Sequence, residues 1–237
     1  MKAMIFSAGL GTRFKPWTDS HPKALAPING KSLLQRNIEY LQQYGIKEVV
    51  VNVHHFAEQI IEAVNENNGW GSHITISDER DEVLETGGGL LKAAHFLNDG
   101  TFLTINVDIL TDLNLNDFIA FHKKQQSFIT LATTDRTTSR YLLFDENNRL
   151  CGWRNKSTHA EKIAIKTKAV FEKAYSGIAL FEPGIFNKIT HQGKFSLIDV
   201  YLDIAAQNKI MSYDHSGGKL IDVGKPESTL IAEKMFE

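Results

Sequence analysis

Met1-Lys-Ala-Met-Ile-Phe-Ser-Ala8-Gly9-Leu-Gly11-Thr12-Arg13-Phe14-Lys-Pro16 opens the chain with an apolar run that stops at a glycine-bearing turn. An almost continuous apolar stretch ended in this way reads as a buried strand over Met1 to Ala8 that delivers the chain into a loop. Two glycines in that loop let backbone N–H groups approach an anion closely, as a phosphate cradle requires. Arg13 supplies a forked cation and Lys23, a short distance on, a point charge. The competing reading is a tight turn carrying two surface cations. Two common nucleotide motifs fail here: a dinucleotide fingerprint needs a third glycine where Phe14 stands, and a P-loop needs glycine before the lysine, where Pro22 stands.

Working outward, Pro16, Pro22 and Pro27 keep the next stretch non-helical. Ser32 to Tyr44 then reads as a helix with Leu33, Leu34, Ile38 and Leu41 on one face and Gly45 as its stop. Strands are expected at Glu48 to Val53, Ile74 to Ser77, Phe102 to Asn106 and Phe128 to Thr134. Helices are expected between them at Ala57 to Asn67, Gly87 to Phe96 and Leu115 to Gln126. Such alternation implies a doubly wound, mainly parallel α/β sheet covered by helices.

Near Tyr141 the pattern changes. Tyr141 to Phe144 and Leu150 to Trp153 flank a turn-rich link and read as a β-hairpin. Strands at Tyr175 to Phe181 and Lys219 to Asp222 follow, with helices at Leu197 to Asn208 and Pro226 to Phe236. The lysine-rich segment Thr158 to Lys173 reads as a mobile solvated loop. The second half is therefore a smaller mixed β lobe packed on the first, and residues 1–237 form one domain with halves at 1–135 and 136–237.

Composition narrows the function classes. Hydrophobic residues make up 42% and charged residues 23%, as in a soluble globular protein without disordered tracts. Twenty-six basic residues against 28 acidic ones, with no long run of one sign, argue against a nucleic-acid or membrane-surface partner. Cys151 is the only cysteine, which excludes an intrachain disulfide or a thiolate cluster and fits a reducing cytoplasm. The apolar start is too short and interrupted for a signal peptide, and no stretch approaches a membrane span. Oligomeric state is not legible in the pattern.

Three further motifs carry chemistry. Leu84-Glu85-Thr86-Gly87-Gly88-Gly89 opens an expected helix, and its glycines suit either close approach of a base or phosphate, or a helix cap. Asn106-Val107-Asp108 ends an internal strand, beyond which ligands bind in open α/β sheets. Ile221-Asp222-Val223-Gly224-Lys225-Pro226 gives a second carboxylate between a strand and a helix. Either aspartate alone reads as a cap, whereas two such carboxylates with substrate phosphates are a common way to hold Mg²⁺. Gly177 in Tyr175-Ser176-Gly177-Ile178 reads as a strand bulge on residues alone.

Gly9-Leu10-Gly11-Thr12-Arg13-Phe14-Lys15-Pro16, Thr18 and Pro22-Lys23 together resemble the signature of the sugar-nucleotide pyrophosphorylases, nucleotidyltransferases that join a nucleoside triphosphate to a sugar 1-phosphate. The resemblance spans nearly the whole chain and implies the Rossmann-like nucleotide-diphospho-sugar transferase fold, with helices on both faces. It implies a nucleotide-binding half at 1–135 and a sugar-binding half at 136–237. It also implies catalytic roles for Arg13, Lys23 and Asp108, with nucleotide contacts from Ala8, Gly9, Gly11, Thr12, Arg13, Lys23, Glu85, Gly87 and Gly88. Gly177 is expected beside the sugar, and Asp108 and Asp222 on a magnesium ion. The Glu85-Thr-Gly-Gly-Gly89 form resembles the muramate 1-phosphate uridylyltransferase and mannose 1-phosphate guanylyltransferase branches. Val107 stands where many relatives have glycine, Lys225 replaces a usual threonine, and an E-K-P block that presents a sugar-phosphate lysine is missing. Rival readings are a metal-dependent glycosyltransferase and a catalytically silent sugar-nucleotide sensor.

Overall fold

The computed structural model describes residues 1–237. Strand β1 (Lys2–Phe6) is followed by the glycine loop, a short hairpin β2 (Pro27–Ile28) and β3 (Lys31–Ser32), and helix α1 (Leu33–Gln43). The Ser32 hydroxyl caps α1 by accepting the Gln35 N–H at 3.1 Å, satisfying one of the orphan donors of the first turn. Next come β4 (Glu48–Val53), α2 (Ala57–Glu66), β5 (His73–Asp78), α3 (Glu85–Lys92), the single turn α4 (Ala94–Leu97) and β6 (Phe102–Asn106). A short strand β7 (Ile109–Thr111), α5 (Leu115–Gln125) and β8 (Ile129–Thr134) complete the first half. The remainder holds β9 (Arg140–Phe144), β10 (Leu150–Asn155), β11 (Ala160–Ile163), β12 (Phe171–Phe181), α6 (Leu197–Ile204), β13 (Ile210–Asp214), β14 (Leu220–Asp222) and α7 (Glu227–Met235).

Ten strands form one sheet in the order β11-β10-β9-β12-β6-β1-β4-β5, with β8 on β12 and β13 on β8. β1 pairs in parallel with both β4 and β6, and β4 with β5, so the neighbouring strands β6, β1, β4 and β5 all end on one edge of the sheet. β12 runs antiparallel to β6, β8 and β9. Its first residues reach beyond that edge and carry β9, β10 and β11 as the small lobe. Alternating residues of β1 face opposite layers: Ala3 and Ile5 pack with Leu33, Ile38 and Leu41 of α1 and Phe118 of α5, while Met4 packs with Leu90 of α3 and Tyr201 of α6. Helices therefore cover both faces, and the doubly wound mixed α/β architecture is as the sequence implies.

Several boundaries differ for physical reasons. β1 stops at Phe6, before Ser7, whose N–H turns aside to the Asn52 side chain. The expected helix at 87–96 starts earlier, at Glu85, and breaks at Ala93. The helix from Leu197 ends at Ile204, where the Arg149 guanidinium takes the carbonyls of Ala205 and Ala206 at 2.8 and 3.0 Å. Within the segment expected as a solvated loop, Ala160–Ile163 is an edge strand paired with β10 and β12 begins at Phe171. The lysine-rich pattern there reflects exposure of an edge, not absence of structure.

Candidate active site

The carboxyl ends of β1, β4 and β6 open into a crevice of about 560 Å³. Its first wall is the loop after β1. Gly11 sits at φ 61°, and a Cβ there would stand 2.8 Å from Thr18 Cγ2 and 3.2 Å from Lys23 Cβ, so only glycine fits this close crossing. Thr18 Oγ1 donates to the Gly11 carbonyl at 2.9 Å and the Phe14 N–H to the same oxygen at 2.7 Å, which fixes the loop as a tight turn. Phe14 is buried beneath it.

The two distant aspartates are brought together by a strand pair that sequence patterning did not reveal. β14 runs antiparallel to β7 with Asp222 opposite Ile109, and the Val223 N–H donates to the Asp108 carbonyl at 2.8 Å. Lys23 Nζ lies 2.6 Å from Asp108 Oδ2, with the side chains only 11% and 23% exposed. Arg13 joins them: a Cβ on Gly224 would lie 2.9 Å from Asp222 Oδ1 and 3.5 Å from the Arg13 guanidinium. Asp222 keeps an exposed edge at the strand end, yet the protein atoms packed round its carboxyl raise the pKa by desolvation first, and the charge of Asp108 raises it further, against the opposing pull of Lys23, Arg13 and Arg136. Two carboxylates crowded in this way favour a cation between them.

Most residues singled out from sequence meet here. Ala8, Gly9, Gly11, Thr12 and Arg13 line the crevice on one side, and Lys23, Glu85 and Asp108 line it elsewhere. Gly87 and Gly88 do not. A Cβ on Gly87 would collide with the Phe195 ring at 2.4 Å, and one on Gly88 with the Gly193 carbonyl at 2.2 Å. These glycines let α3 close against the 193–195 segment, where the Gly87 N–H donates to the Phe195 carbonyl at 2.9 Å. Gly177, at φ 75°, forms a bulge between β12 and β8 and presses against Asn106, where a Cβ would stand 2.9 Å from Nδ2. Gly177 itself is outside the crevice lining, although Asn106 is part of it.

Asn52, Thr86, Lys194 and Ser196, to which sequence reasoning gave no role at the site, also line the crevice. Asn52 carries a signal as a polar residue near the carboxyl end of the apolar strand β4, and Thr86 as a member of the 84–89 motif. Thr86 Oγ1 accepts the Leu197 N–H at 3.1 Å, tying the start of α3 to the start of α6 across the crevice mouth. Lys194 Nζ stands 3.8 Å from Glu85 Oε1.

A magnesium ion is compatible with this donor set. Asp108 and Asp222 offer hard oxygen ligands, and no group of three or more His, Cys, Asp or Glu residues converges to form a cage of protein ligands alone. That is the pattern expected where substrate phosphates complete the coordination.

The family model described as nucleotidyl transferase matches residues 2–237. An N-acetylmuramate alpha-1-phosphate uridylyltransferase of Neisseria meningitidis serogroup B is 31% identical over 225 residues, 94% of this chain and 93% of the relative. A probable mannose-1-phosphate guanylyltransferase of Oryza sativa subsp. japonica is 28% identical over 245 residues, 100% of this chain and 64% of the relative. Among solved structures, HddC from Yersinia pseudotuberculosis complexed with GMP-PN superposes with a TM-score of 0.79 at 24% identity, covering 100% of this chain and 99% of the other.

Proposed function

The chain belongs to the nucleotidyl transferase family, and from that premise we propose that it condenses a nucleoside triphosphate with a sugar 1-phosphate, giving a nucleotide-sugar and pyrophosphate. The observation that carries this reading is the convergence of Arg13, Lys23 and Asp108 in the crevice lining, with Asp222 beside them at the end of β14. This arrangement suits polyanionic substrates and needs no side-chain nucleophile. The attacking group is an oxygen of the sugar 1-phosphate, the α-phosphorus is the electrophile, and pyrophosphate departs in line. Alignment and charge neutralisation then account for most of the rate.

Each residue has a distinct part. Backbone N–H groups around Gly9, Gly11 and Thr12 cradle the phosphates, and the Arg13 fork offsets charge growing on the leaving pyrophosphate. Lys23, held at Asp108 in the free protein, is within the same cluster to donate to the reacting phosphates. Asp108 and Asp222 would hold a magnesium ion, which would supply Lewis-acid neutralisation of the phosphate oxygens. Ala8 and Glu85 border the nucleoside end. The halves 1–135 and 136–237 divide nucleotide from sugar binding, with Gly177 shaping the sugar side through Asn106.

UTP with N-acetylmuramate 1-phosphate is the substrate pair we assign. The Neisseria relative supports it, because it matches almost the full length of both chains. GTP with mannose 1-phosphate is the second reading, favoured by the guanylyltransferase relative, of which this chain spans 64%. No helix is long and apolar enough to cross a membrane, and a cytoplasmic setting fits substrates of this kind. Crossing the four triphosphates with a panel of sugar 1-phosphates and assaying pyrophosphate tests the assignment. Faster turnover of GTP with mannose 1-phosphate than of UTP with any amino-sugar phosphate would reverse the order of the two readings.

A further inference from the structure

Behind the crevice lies a polar pair that the reaction leaves unused. Asn52, 2% exposed, lines the crevice from the end of β4. Its Oδ1 accepts the Ser7 N–H at 2.7 Å, and its Nδ2 donates to Glu79 Oε1 at 2.8 Å. The Ser7 hydroxyl also donates to the Asn52 carbonyl, so both ends of the residue are tied to the turn after β1. Glu79 is 1% exposed, and its Oε2 has no hydrogen-bond partner. Gly89 of α3 closes over the pair, where a Cβ would stand 2.7 Å from Glu79 Oε1 and 3.0 Å from Asn52 Nδ2. A carboxyl group buried with one oxygen unsatisfied works against folding stability, so stability gives no reason for its presence beneath a ligand crevice.

The bond pattern sets the orientation of the Asn52 amide. Reversing it would point an NH₂ group at the Ser7 N–H, two donors facing each other in a site that excludes water. With Oδ1 held by Ser7, Nδ2 keeps two hydrogens, of which Glu79 takes one. We propose that Asn52 is a specificity-determining residue that donates its second hydrogen to the exocyclic oxygen of a keto base, O4 of uracil or O6 of guanine, and that Glu79 is the positioning residue that holds the amide for this task. Cytosine and adenine carry an amino group at the same place and would set N–H against N–H. The inference rests on the crevice being a nucleotide site and adds a constraint absent from that reading: amino bases are excluded by one locked amide.

The test uses the full chain and measures equilibrium binding of UTP, CTP, GTP and ATP by calorimetry, with pyrophosphate release assayed in parallel. Comparisons within a size class isolate the exocyclic group. UTP is expected to bind about ten- to a hundredfold more tightly than CTP, and GTP more tightly than ATP, the scale of one buried hydrogen bond exchanged for a donor clash. Glu79→Gln keeps an acceptor for Nδ2 and retains the UTP-to-CTP ratio. Glu79→Leu frees the amide and brings that ratio to within about threefold, while a merely structural Glu79 would lower all affinities alike and leave the ratio intact. Equal binding of CTP and UTP by the wild type overturns the proposal whether or not the variants fold, and so does an unchanged ratio in folded Glu79→Leu. Keto-selective binding without pyrophosphate release from any sugar 1-phosphate would instead count against the transferase reading alone.

Discussion

Replacing Lys23 with methionine removes one charge from the centre of the site while keeping the length of the stem. Its ammonium lies 2.6 Å from Asp108 Oδ2, and the two side chains are 11% and 23% exposed. At an effective dielectric near 20, that separation corresponds to a gross attraction of about 6 kcal/mol. Removing the lysine alone leaves Asp108 without its partner and beside Asp222, so the net loss of stability should be about 3 kcal/mol, at the low end for such a pair because both groups keep some exposure, and the variant should still fold. The kinetic effect is at least as large, because a preorganised cation aimed at developing charge involves no reorganisation in the transition state. Deleting one such donor costs about 10²- to 10³-fold in kcat, or roughly 3–4 kcal/mol. A continuous pyrophosphate-release assay at saturating substrates, with a thermal melt of the same sample, separates the two effects. Turnover within tenfold of wild type, or an effect confined to KM, would show that Lys23 only binds substrate or pairs with Asp108.

Further outcomes follow from individual contacts. Asp222→Asn should abolish magnesium-dependent turnover while raising the melting temperature of the metal-free protein slightly, because it removes a charge that partial desolvation and the neighbouring Asp108 both disfavour; a lower melting temperature would contradict that balance. Asp108→Ala should likewise remove divalent-dependent activity with the fold intact by circular dichroism, and near-normal turnover would sink the metal assignment. Gly88→Val should destabilise by about 1–3 kcal/mol through overpacking, since its Cβ position lies 2.2 Å from the Gly193 carbonyl; selective loss of nucleotide affinity at unchanged stability would show that Gly88 faces a ligand after all. His122 and His215 have pKa values lowered from 6.5 by burial. Unfolding lets both take up protons, so their contribution is complete above about pH 6.5 and is lost as pH falls below it. A urea midpoint that does not drop between pH 7 and 5.5 would argue against the burial.

The first half of the fold was legible because each strand is a compact apolar run and each helix an amphipathic one. Ala3, Met4 and Ile5 are all fully buried, as a strand covered on both faces requires. What escaped was structure that depends on partners remote in sequence. β7 is three residues long and exists as a strand only because β14 pairs with it, yet this pairing sets Asp222 beside Asp108. β11 is exposed along its whole length and carries no apolar alternation. At the site, the glycine loop announced itself through residue types that few other settings need. Gly87 and Gly88 are ambiguous in sequence, because close backbone approach looks the same whether the neighbour is a ligand or the Phe195 segment on which they pack. Lys194 and Ser196 arrive from a segment whose composition is ordinary, and only the closure of α3 against it brings them to the crevice.

The central claim is that an oxygen of the sugar phosphate attacks the α-phosphorus of the nucleotide, leaving the sugar's own anomeric bond untouched. Its most direct test is turnover of UTP and magnesium with a sugar 1-phosphate carrying a heavy-oxygen label in the bridge between the anomeric carbon and phosphorus, read by mass spectrometry of both products. The expected result is one pyrophosphate per nucleotide-sugar, with all of the bridging label in the nucleotide-sugar and none in pyrophosphate. Loss of the bridging label from the sugar, or consumption of triphosphate without an equal yield of nucleotide-sugar, would contradict the account.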